Sequence, residues 1–312
     1  MKPQDVALGR KLKLTLLDFT DNVRQLPGIR PRENLDALVE QLIESIRRIR
    51  YIATIRRQRL GEVRMDPSSD AFDPLRAAVL HQASGNSEEA CWLVFLATHF
   101  GKHHRTGWRL LQQVYGRLGG EPHWGWAKVC ESPEEFAMWL AASYGALTSP
   151  ARAGHFGNHR KYETLRDTTQ GTGAVVRSYV RWINNYGSHA ALLTEARHHA
   201  GNDRREIFKY LYRTMDVHRF GRTAKFDYLT MLGKLDLFPI EPNSAYLVGA
   251  TGPLRGARLL FGGTTLAKGL SPKTLDSWLL ELDGRLNVGM QVLEDSLCNW
   301  QKSPGRFRPF RG

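Results

Sequence analysis

Apolar residues recur along this chain mainly at the spacing of an α-helix. Residues 34–60 show the pattern best, because apolar side chains return there every three or four positions. These positions are Leu35, Leu38, Leu42, Ile46, Ile49 and Ile52. Residues 87–99 are apolar at nearly every position and predict a buried helix that Ser87 caps. No stretch alternates apolar and polar residues for long, so the pattern predicts a mainly α fold.

In the rest of the chain, residues typical of helix starts predict where further helices begin. Ser132 precedes Pro133, Glu134 and Glu135, which together form a capping box with proline at the first helical position. We expect this helix to continue through Tyr144. Further helices are predicted to begin at Thr172 or Gly173, at Asp203 and at Ser271, and the last to span 287–301.

The glycine-rich stretch 249–263 predicts a loop, with a short strand or a turn inside it as an open alternative. Its glycines are not followed by Gly-Lys-Ser/Thr, which argues against ATP hydrolysis or kinase activity. The sequence contains neither a dinucleotide-binding fingerprint nor zinc-ligand spacing. Neighbours on a helix point about 100° apart, so the pairs His103–His104 and His198–His199 are poor chelators. We therefore expect no cofactor and no metal.

We divide the chain into three regions. Residues 1–65 form an N-terminal helical region with a basic helix, residues 66–301 a helical catalytic region, and residues 302–312 a basic flexible tail. The basic helix carries Arg47, Arg48, Arg50, Arg56, Arg57 and Arg59. These arginines form either a surface for the DNA backbone or a solvated helix face. The tail mixes arginine with phenylalanine and is either a DNA-binding arm or a frayed terminus.

The charge balance points to an anionic partner. Lysine and arginine outnumber aspartate and glutamate by 44 to 31, which gives a net charge of +13. Nucleic acid is the usual partner of so basic a chain, and a merely solvated basic surface is the alternative. Three cysteines without CxxC spacing indicate a reducing compartment. The sequence has no signal-peptide pattern and no apolar run of membrane-spanning length, so we expect a soluble intracellular protein without a membrane partner.

Six blocks of the sequence are similar to the motifs of one protein family. They are residues 72–81, 89–102, 156–163, 219–229, 252–258 and 292–300. Examples are Phe156-Gly-Asn-His-Arg-Lys-Tyr-Glu163 and Gly252-Pro-Leu-Arg-Gly-Ala-Arg258. Together the blocks cover most of residues 70–301 and resemble the α-glutamyl/putrescinyl thymine pyrophosphorylases of bacteriophages, also described as amino acid:DNA transferases.

This resemblance implies a fold, a substrate and a location. The fold is mainly helical and distantly similar to that of helix-hairpin-helix DNA glycosylases. The substrate is double-stranded DNA carrying 5-phosphomethyl- or 5-pyrophosphomethyl-uracil, made by a separate kinase. The enzyme replaces the phosphate or pyrophosphate with the amine of an amino acid, for which we name glycine, or of a polyamine. The setting is the cytoplasm of a phage-infected bacterial host. A modified-base DNA glycosylase or lyase and a non-catalytic DNA-binding protein are the alternatives.

Two helices supply the predicted catalytic residues. Arg222 and Lys225 begin one helix on a shared face, where they either hold the departing phosphate or form a salt bridge to another helix. Asp227 is the base, an orienting partner for an arginine, or a surface aspartate. Glu294, in the last helix, is either a base or a salt-bridged side chain. It is predicted to lie at the edge of that helix's buried stripe, which comprises Met290, Leu293, Leu297 and Trp300. Cys298, one turn after Glu294, either attacks C6 of the uracil or is a small buried cysteine.

A compact polar cluster between glycines is the predicted substrate-binding segment. It comprises His155, Asn158, His159, Arg160 and Tyr162. Loops of such residues on a helical scaffold often bind ligands, so we expect contact with the phosphorylated base or with the incoming carboxylate. A loop made of caps and turns is the alternative.

Four further arginines are predicted to bind DNA phosphates. They are Arg177, Arg181, Arg255 and Arg258. The last two follow the glycine turn, whose backbone N–H groups would add to an anion-binding nest. Trp124 and Trp126 either stack on bases or belong to the core.

Overall fold

The computed structural model describes residues 3–151 and 153–309. Over these residues the protein has fifteen α-helices and no strand, and it is 63% helical. The helices are α1 Val6–Asn22, α2 Arg32–Ile55, α3 Pro74–Ala83, α4 Ser87–Phe100, α5 Arg109–Tyr115, α6 Trp126–Glu131, α7 Pro133–Ala142, α8 Tyr144–Thr148, α9 Thr172–Asn184, α10 His189–Ala200, α11 Arg204–Thr214, α12 Arg222–Lys234, α13 Gly252–Gly262, α14 Pro272–Leu286 and α15 Met290–Trp300. The mainly α prediction is confirmed.

Two of the predicted helix starts are confirmed by their caps. The Asp203 carboxylate accepts hydrogen bonds from the backbone N–H groups of Arg205 at 2.8 Å and Glu206 at 3.0 Å. The Ser271 hydroxyl accepts one from Thr274 N at 3.1 Å. Each cap satisfies donors that the first turn of a helix leaves unpaired, so α11 and α14 begin where the sequence predicted.

Two other predicted caps are wrong. The side chain of Ser132 makes no capping hydrogen bond, and α7 already ends at Ala142. Asn86, not Ser87, caps α4, because its side chain accepts a hydrogen bond from Glu89 N at 3.2 Å. Asn and Ser are both good caps, so residue type alone does not show which of two neighbouring residues caps a helix.

The predicted loop over 249–263 is also wrong, because α13 occupies most of it. Its glycines serve close helix packing. A Cβ atom on Gly252 would lie 2.6 Å from the Cys298 sulfur, and one on Gly256 would lie 2.3 Å from the Leu297 carbonyl oxygen. Both contacts are too short for any side chain, so glycine lets α13 lie directly against α15.

The helices form two compact units. Among the described residues, one comprises residues 3–52 together with residues 242–309, and we call it the terminal unit. Its core is mainly aliphatic and comes from α1, α2 and α13–α15, with Leu16, Leu38, Leu42, Leu260, Leu279 and Leu293 among its buried residues. The chain termini therefore share one core. The predicted division at residues 65 and 301 stays a prediction.

Residues 53–241 form the other compact unit, which we call the central unit. Large aromatic side chains dominate its interior, including the fully buried Trp92, Phe95, Trp124, Phe136, Tyr179, Phe208 and Tyr228. Trp126 is buried as well. For both Trp124 and Trp126 the core interpretation is therefore confirmed.

The predicted basic helix is too long, because α2 ends at Ile55, and Arg56, Arg57 and Arg59 follow it in a turn and loop. Carboxylates neutralise part of this basic segment. Arg47 pairs with Asp5 and Arg48 with Asp295 in the terminal unit. In the central unit, Arg56 lies 2.6 Å from an oxygen of Asp236. These three arginines are thus engaged within the protein.

The part of the tail that the structure describes makes hydrogen bonds within the terminal unit. Gln41 donates to the Arg308 carbonyl oxygen at 2.8 Å, and the Trp300 indole donates to that of Pro304 at 3.1 Å. Residues 310–312 of the predicted tail lie outside the described residues. Over the described residues, no helix is long and apolar enough to cross a membrane.

Candidate functional site

Two loops of the central unit lie side by side and carry most of the predicted substrate-binding residues. We call residues 101–107 and 154–164 the paired loops. Gly157 N donates to the Phe100 carbonyl oxygen at 2.8 Å, and His155 N donates to the Thr106 hydroxyl at 3.3 Å. A Cβ atom on Gly157 would lie 2.9 Å from the Gly101 carbonyl carbon. The glycines that flank the predicted cluster therefore permit this close approach.

Aromatic side chains anchor the paired loops on the core. The rings of Phe100 and Phe156 stack at 5.3 Å, and the His99 ring meets Phe156 edge-on at 5.9 Å. His99 also stacks on Phe220, just before α12, at 6.5 Å. Since His99, Phe100 and Phe220 are buried, these contacts fix the loops against α4 and the approach to α12.

Hydrogen bonding determines the tautomer of His99, and burial keeps its imidazole neutral. The Thr172 hydroxyl donates to the Thr164 carbonyl oxygen at 2.9 Å, so its oxygen must accept from His99 Nε2 at 3.0 Å. Burial, together with the charges of Arg160 and Arg219, lowers the pKa of His99 to about 3. His99 therefore carries its proton on Nε2 and no charge at neutral pH. No sequence pattern singled out His99.

Arg160 is held in one orientation by two acceptors. Its Nε donates to the Thr98 carbonyl oxygen at 2.7 Å, and its Nη2 donates to an Asp227 carboxylate oxygen at 2.8 Å. The Arg160 side chain is only 10% exposed, whereas that of Asp227 is 47% exposed. Of the alternatives for Asp227, the structure shows the orienting partner of an arginine. Its use as a base stays a prediction.

Arg219 is a second fixed guanidinium, and sequence reasoning did not select it. It adopts a left-handed backbone with φ of 60° just before α12. Its side chain donates to Glu163 Oε2 at 3.2 Å, to Gln170 Oε1 at 2.8 Å and to the Tyr162 carbonyl oxygen at 3.2 Å. Arg219 thereby positions the second paired loop. Its partners lie about fifty residues earlier in the chain, beyond any local pattern.

The start of α12 carries the two predicted phosphate ligands, Arg222 and Lys225. Gly221 precedes the helix and offers no side-chain cap to its first N–H groups. The Arg222 guanidinium lies 4.8 Å from the Phe226 ring centroid, and the Lys225 ammonium lies 6.0 Å from that of Tyr212. Both side chains are half-buried. Burial lowers the pKa of Lys225, and the charge of Asp216 partly opposes this.

The remaining residues of the predicted cluster lie on the exposed side of the second loop. Asn158 and His159 belong to a short 3₁₀ turn that ends at Arg160, and both are exposed. Tyr162 is 77% exposed, with the Lys161 ammonium 5.0 Å from its ring centroid. The structure therefore brings the five predicted residues onto one loop, with Arg160 turned inward.

His155 meets a histidine pair from the other loop. Its ring centroid lies 5.1 Å from that of His103, which lies 4.4 Å from that of His104. The sequence interpretation discarded His103 and His104 as metal ligands and saw no other use for them. Among the described residues, no group of three or more His, Cys, Asp or Glu side chains is arranged to hold a metal ion.

Glu294 and Cys298 belong to the terminal unit, not to the unit of the paired loops. Glu294 is half-buried on α15, beside the predicted buried stripe of Met290, Leu293, Leu297 and Trp300, which is confirmed. Its neighbour Asp295 accepts from the Ser45 hydroxyl at 2.6 Å. The Cys298 sulfur packs against the backbone of Gly252.

The four arginines predicted to bind DNA are divided between the units. In the central unit, Arg177 donates to Glu134 at 3.1 Å, and Arg181 is exposed on α9. In the terminal unit, Arg255 is exposed on α13. Arg258 is half-buried there, and its buried Nε has no hydrogen-bond partner among the described residues.

Comparison with known proteins identifies the family. The family model of alpha-glutamyl/putrescinyl thymine pyrophosphorylase clade 3 matches residues 33–312. Comparisons with curated proteins and with solved structures find no match. The family match includes the paired loops, α12 and the last helix, and it agrees with the resemblance inferred from the six sequence blocks. The chain therefore belongs to the α-glutamyl/putrescinyl thymine pyrophosphorylase family, whose name denotes enzymes of thymine modification.

Proposed function

We propose that this protein is a transferase of thymine hypermodification in phage DNA. It acts on 5-phosphomethyl- or 5-pyrophosphomethyl-uracil in a duplex and installs the amine of an amino acid, such as glycine, or of a polyamine. The amine nitrogen bonds to the methylene carbon while the bond from that carbon to the phosphate oxygen breaks. The leaving group departs with the bonding electrons, and the incoming ammonium loses a proton to a base.

One observation carries this proposal: two guanidinium groups, Arg160 and Arg219, are immobilised around the start of α12. Arg160 is fixed by Thr98 and Asp227, and Arg219 by Glu163 and its neighbours. A departing phosphate gains negative charge, and prearranged cations stabilise that charge without reorganising during the reaction. Guanidinium groups also match phosphate geometry better than an ammonium does.

We assign roles to the remaining central residues on this basis. Arg222 and Lys225 contribute positive charge at the N-terminal end of α12, which itself favours an anion. Asp227 orients Arg160. The exposed His155, Asn158, His159 and Tyr162 contact the phosphorylated base, including its phosphate, or the incoming carboxylate. Arg177, Arg181, Arg255 and Arg258 are proposed contacts for DNA phosphates.

Glu294 and Cys298 are tested separately, because they belong to the terminal unit. Glu294 is the proposed base, so Glu294→Gln is expected to slow turnover most at low pH, where a smaller fraction of the amine is already deprotonated in solution. Cys298→Ser that retains full turnover would exclude attack on C6 of the uracil. Since Cys298 packs on Gly252, both variants need a matched thermal-unfolding measurement.

A mass measurement tests the proposed function. Duplexes carrying either modified uracil are incubated with the protein and a panel of amino acids and polyamines. The DNA is then digested, and the masses of its nucleosides are measured by mass spectrometry. The proposal predicts loss of the phosphate or pyrophosphate mass and gain of one amine. Abasic sites or free base would instead indicate a glycosylase or lyase. Unchanged nucleosides with every amine, despite DNA binding, would indicate a non-catalytic DNA-binding protein.

A further inference from the structure

Three histidines of the paired loops form a cluster that the proposed reaction does not use as a unit. His103 and His104 come from the first loop and His155 from the second, with ring centroids 4.4 Å and 5.1 Å from that of His103. We call them the histidine triad. His104 and His155 are exposed, so the triad is open to solvent.

The surroundings of the triad are basic. His103 feels the charges of His104, His155 and Arg105, all of which disfavour its protonation. Lys102 is exposed on the same loop and lies 5.9 Å from the Trp108 ring centroid. Burial first, and then these charges, lower the pKa of His103. The charged groups that shift the pKa of His103 are all basic, and none of them is a carboxylate. Such groups repel one another when charged, and a bound anion would relieve this repulsion.

Hydrogen bonding prepares His103 as a donor. Its Nδ1 accepts from Thr106 N at 3.2 Å and lies 3.1 Å from the Thr106 hydroxyl oxygen. That oxygen accepts from His155 N, so the hydroxyl is able to donate its own hydrogen to Nδ1. Neutral His103 therefore carries its proton on Nε2, where a hydrogen bond to an external acceptor is possible. The same threonine ties both loops of the triad together.

We propose that the histidine triad, with Arg105 and Lys102, binds a phosphoryl oxyanion and takes up protons as it does so. The origin of that anion rests on the proposed function: it is either a backbone phosphate of the DNA or the phosphate of the modified base. An anion next to imidazoles favours their charged form. Because Nδ1 of His103 accepts from Thr106 N, the proton is taken up by the exposed rings of His104 and His155. By linkage, binding is then tighter at low pH. Metal binding does not fit His103, because its Nδ1 accepts from Thr106 N and its Nε2 therefore carries the proton, which leaves no nitrogen lone pair for a metal.

The first test uses sulfate, whose charge is constant between pH 6 and pH 8. Uptake of one proton predicts that sulfate affinity falls about tenfold per pH unit above the imidazole pKa, and calorimetry in two buffers counts the protons directly. The double variant His103→Gln/His155→Gln is expected to lose both the affinity and the pH dependence. The control His198→Gln/His199→Gln alters an adjacent, exposed pair on α10 and is expected to change neither.

Duplex binding then separates the two sources. A backbone phosphate predicts that the triad variant loses affinity equally for plain and modified duplexes. The phosphate of the modified base predicts loss for the modified duplex alone. Arg105→Ala, at an exposed position, repeats the test should the double variant fail to fold.

Equal affinity of wild type and variant for sulfate and for both duplexes would overturn the triad proposal. So would saturable binding of Zn²⁺ that the triad variant abolishes. Neither result bears on the mass measurement above, so the proposed function would stand or fall independently.

Discussion

The two units of this protein are stabilised in different ways. The terminal unit packs aliphatic side chains and brings α13 against α15 through Gly252 and Gly256. The central unit instead buries rings and titratable groups that are joined by hydrogen bonds. Close apolar packing dominates the first arrangement, whereas in the second a buried network of hydrogen bonds also fixes the direction of polar side chains. The immobilised guanidinium groups belong to the second kind of unit.

A buried chain of hydrogen bonds illustrates the difference. Glu88 lies 2.5 Å from His189 Nδ1, His189 Nε2 lies 2.6 Å from the Tyr179 hydroxyl, and that hydroxyl lies 2.9 Å from the hydroxyl of Tyr228. The chain joins α4, α10, α9 and α12. Because Tyr228 follows Asp227 on α12, the same contacts hold the helix that orients Arg160.

The largest expected effect tests shape in the terminal unit. Gly256→Ala would place a methyl group 2.3 Å from the Leu297 carbonyl oxygen. We expect the free energy of unfolding to fall by about 3 kcal/mol, the upper end for overpacking, in urea titrations. Gly284→Ala on α14 meets nothing within 4 Å and is expected to stabilise by a few tenths of a kcal/mol or more. Equal effects of the two changes would contradict the packing account.

Removing one hydroxyl tests the polar chain of the central unit. Tyr179→Phe leaves His189 Nε2 and the Tyr228 hydroxyl without their shared partner. The expected loss in the free energy of unfolding is about 2 kcal/mol, because both groups are buried. Tyr162→Phe is the control, since Tyr162 is 77% exposed in the same unit, and it should change stability by less than about 0.5 kcal/mol. If Tyr179→Phe left the free energy of unfolding unchanged, packing alone would hold these helices.

Acid sensitivity tests the neutral state of His99. Its folded pKa of about 3 lies below the unfolded value of 6.5, so the unfolded state takes up a proton first as the pH falls. Stability from this group is intact above pH 6.5 and declines toward pH 3. Between pH 7 and pH 5, wild type should lose about 2 kcal/mol more than His99→Gln. Parallel losses in urea titrations at both pH values would contradict a neutral, buried His99.

The smallest expected effect concerns DNA affinity. Arg181→Ala and Arg255→Ala each remove one proposed phosphate contact, so each should reduce the slope of log affinity against log salt by about 0.9. Arg205→Ala removes the same charge from a residue that pairs with Glu241 at 2.7 Å. An identical change of slope in that control would show that net charge, and not these positions, determines binding.

Sequence periodicity predicted the helices well because their cause is local. The stripe that contains Leu38 and Leu42 repeats within one helix, and Asp203 caps its own first turn. The helix α13 was missed because a packing glycine and a turn glycine are the same residue until the partner helix is known. Gly256 acquires its meaning only from Leu297, forty-one positions later.

The candidate site was predicted only in part, because its polar segment is local in sequence but the contacts of that segment are not. Arg160 and His155 lie in one short segment, whose polar composition marked it as functional. The partners that define their roles are distant in sequence: Asp227 for Arg160, and His103 for His155. Arg219 was missed because its role depends on acceptors in a loop that precedes it by about fifty residues. Local composition thus marks a site, while long-range contacts decide which atoms act.

The central claim is that a fixed guanidinium stabilises the departing anion, and single-turnover kinetics of Arg160→Lys test it most directly. Lysine keeps the charge but loses the two-point hold by Thr98 and Asp227. With saturating enzyme and phosphomethyluracil duplex, we predict a rate constant about 100-fold lower, as for loss of one electrostatic contact in a transition state, with little change in duplex affinity. A variant that folds, binds the duplex and reacts at the wild-type rate would contradict the claim.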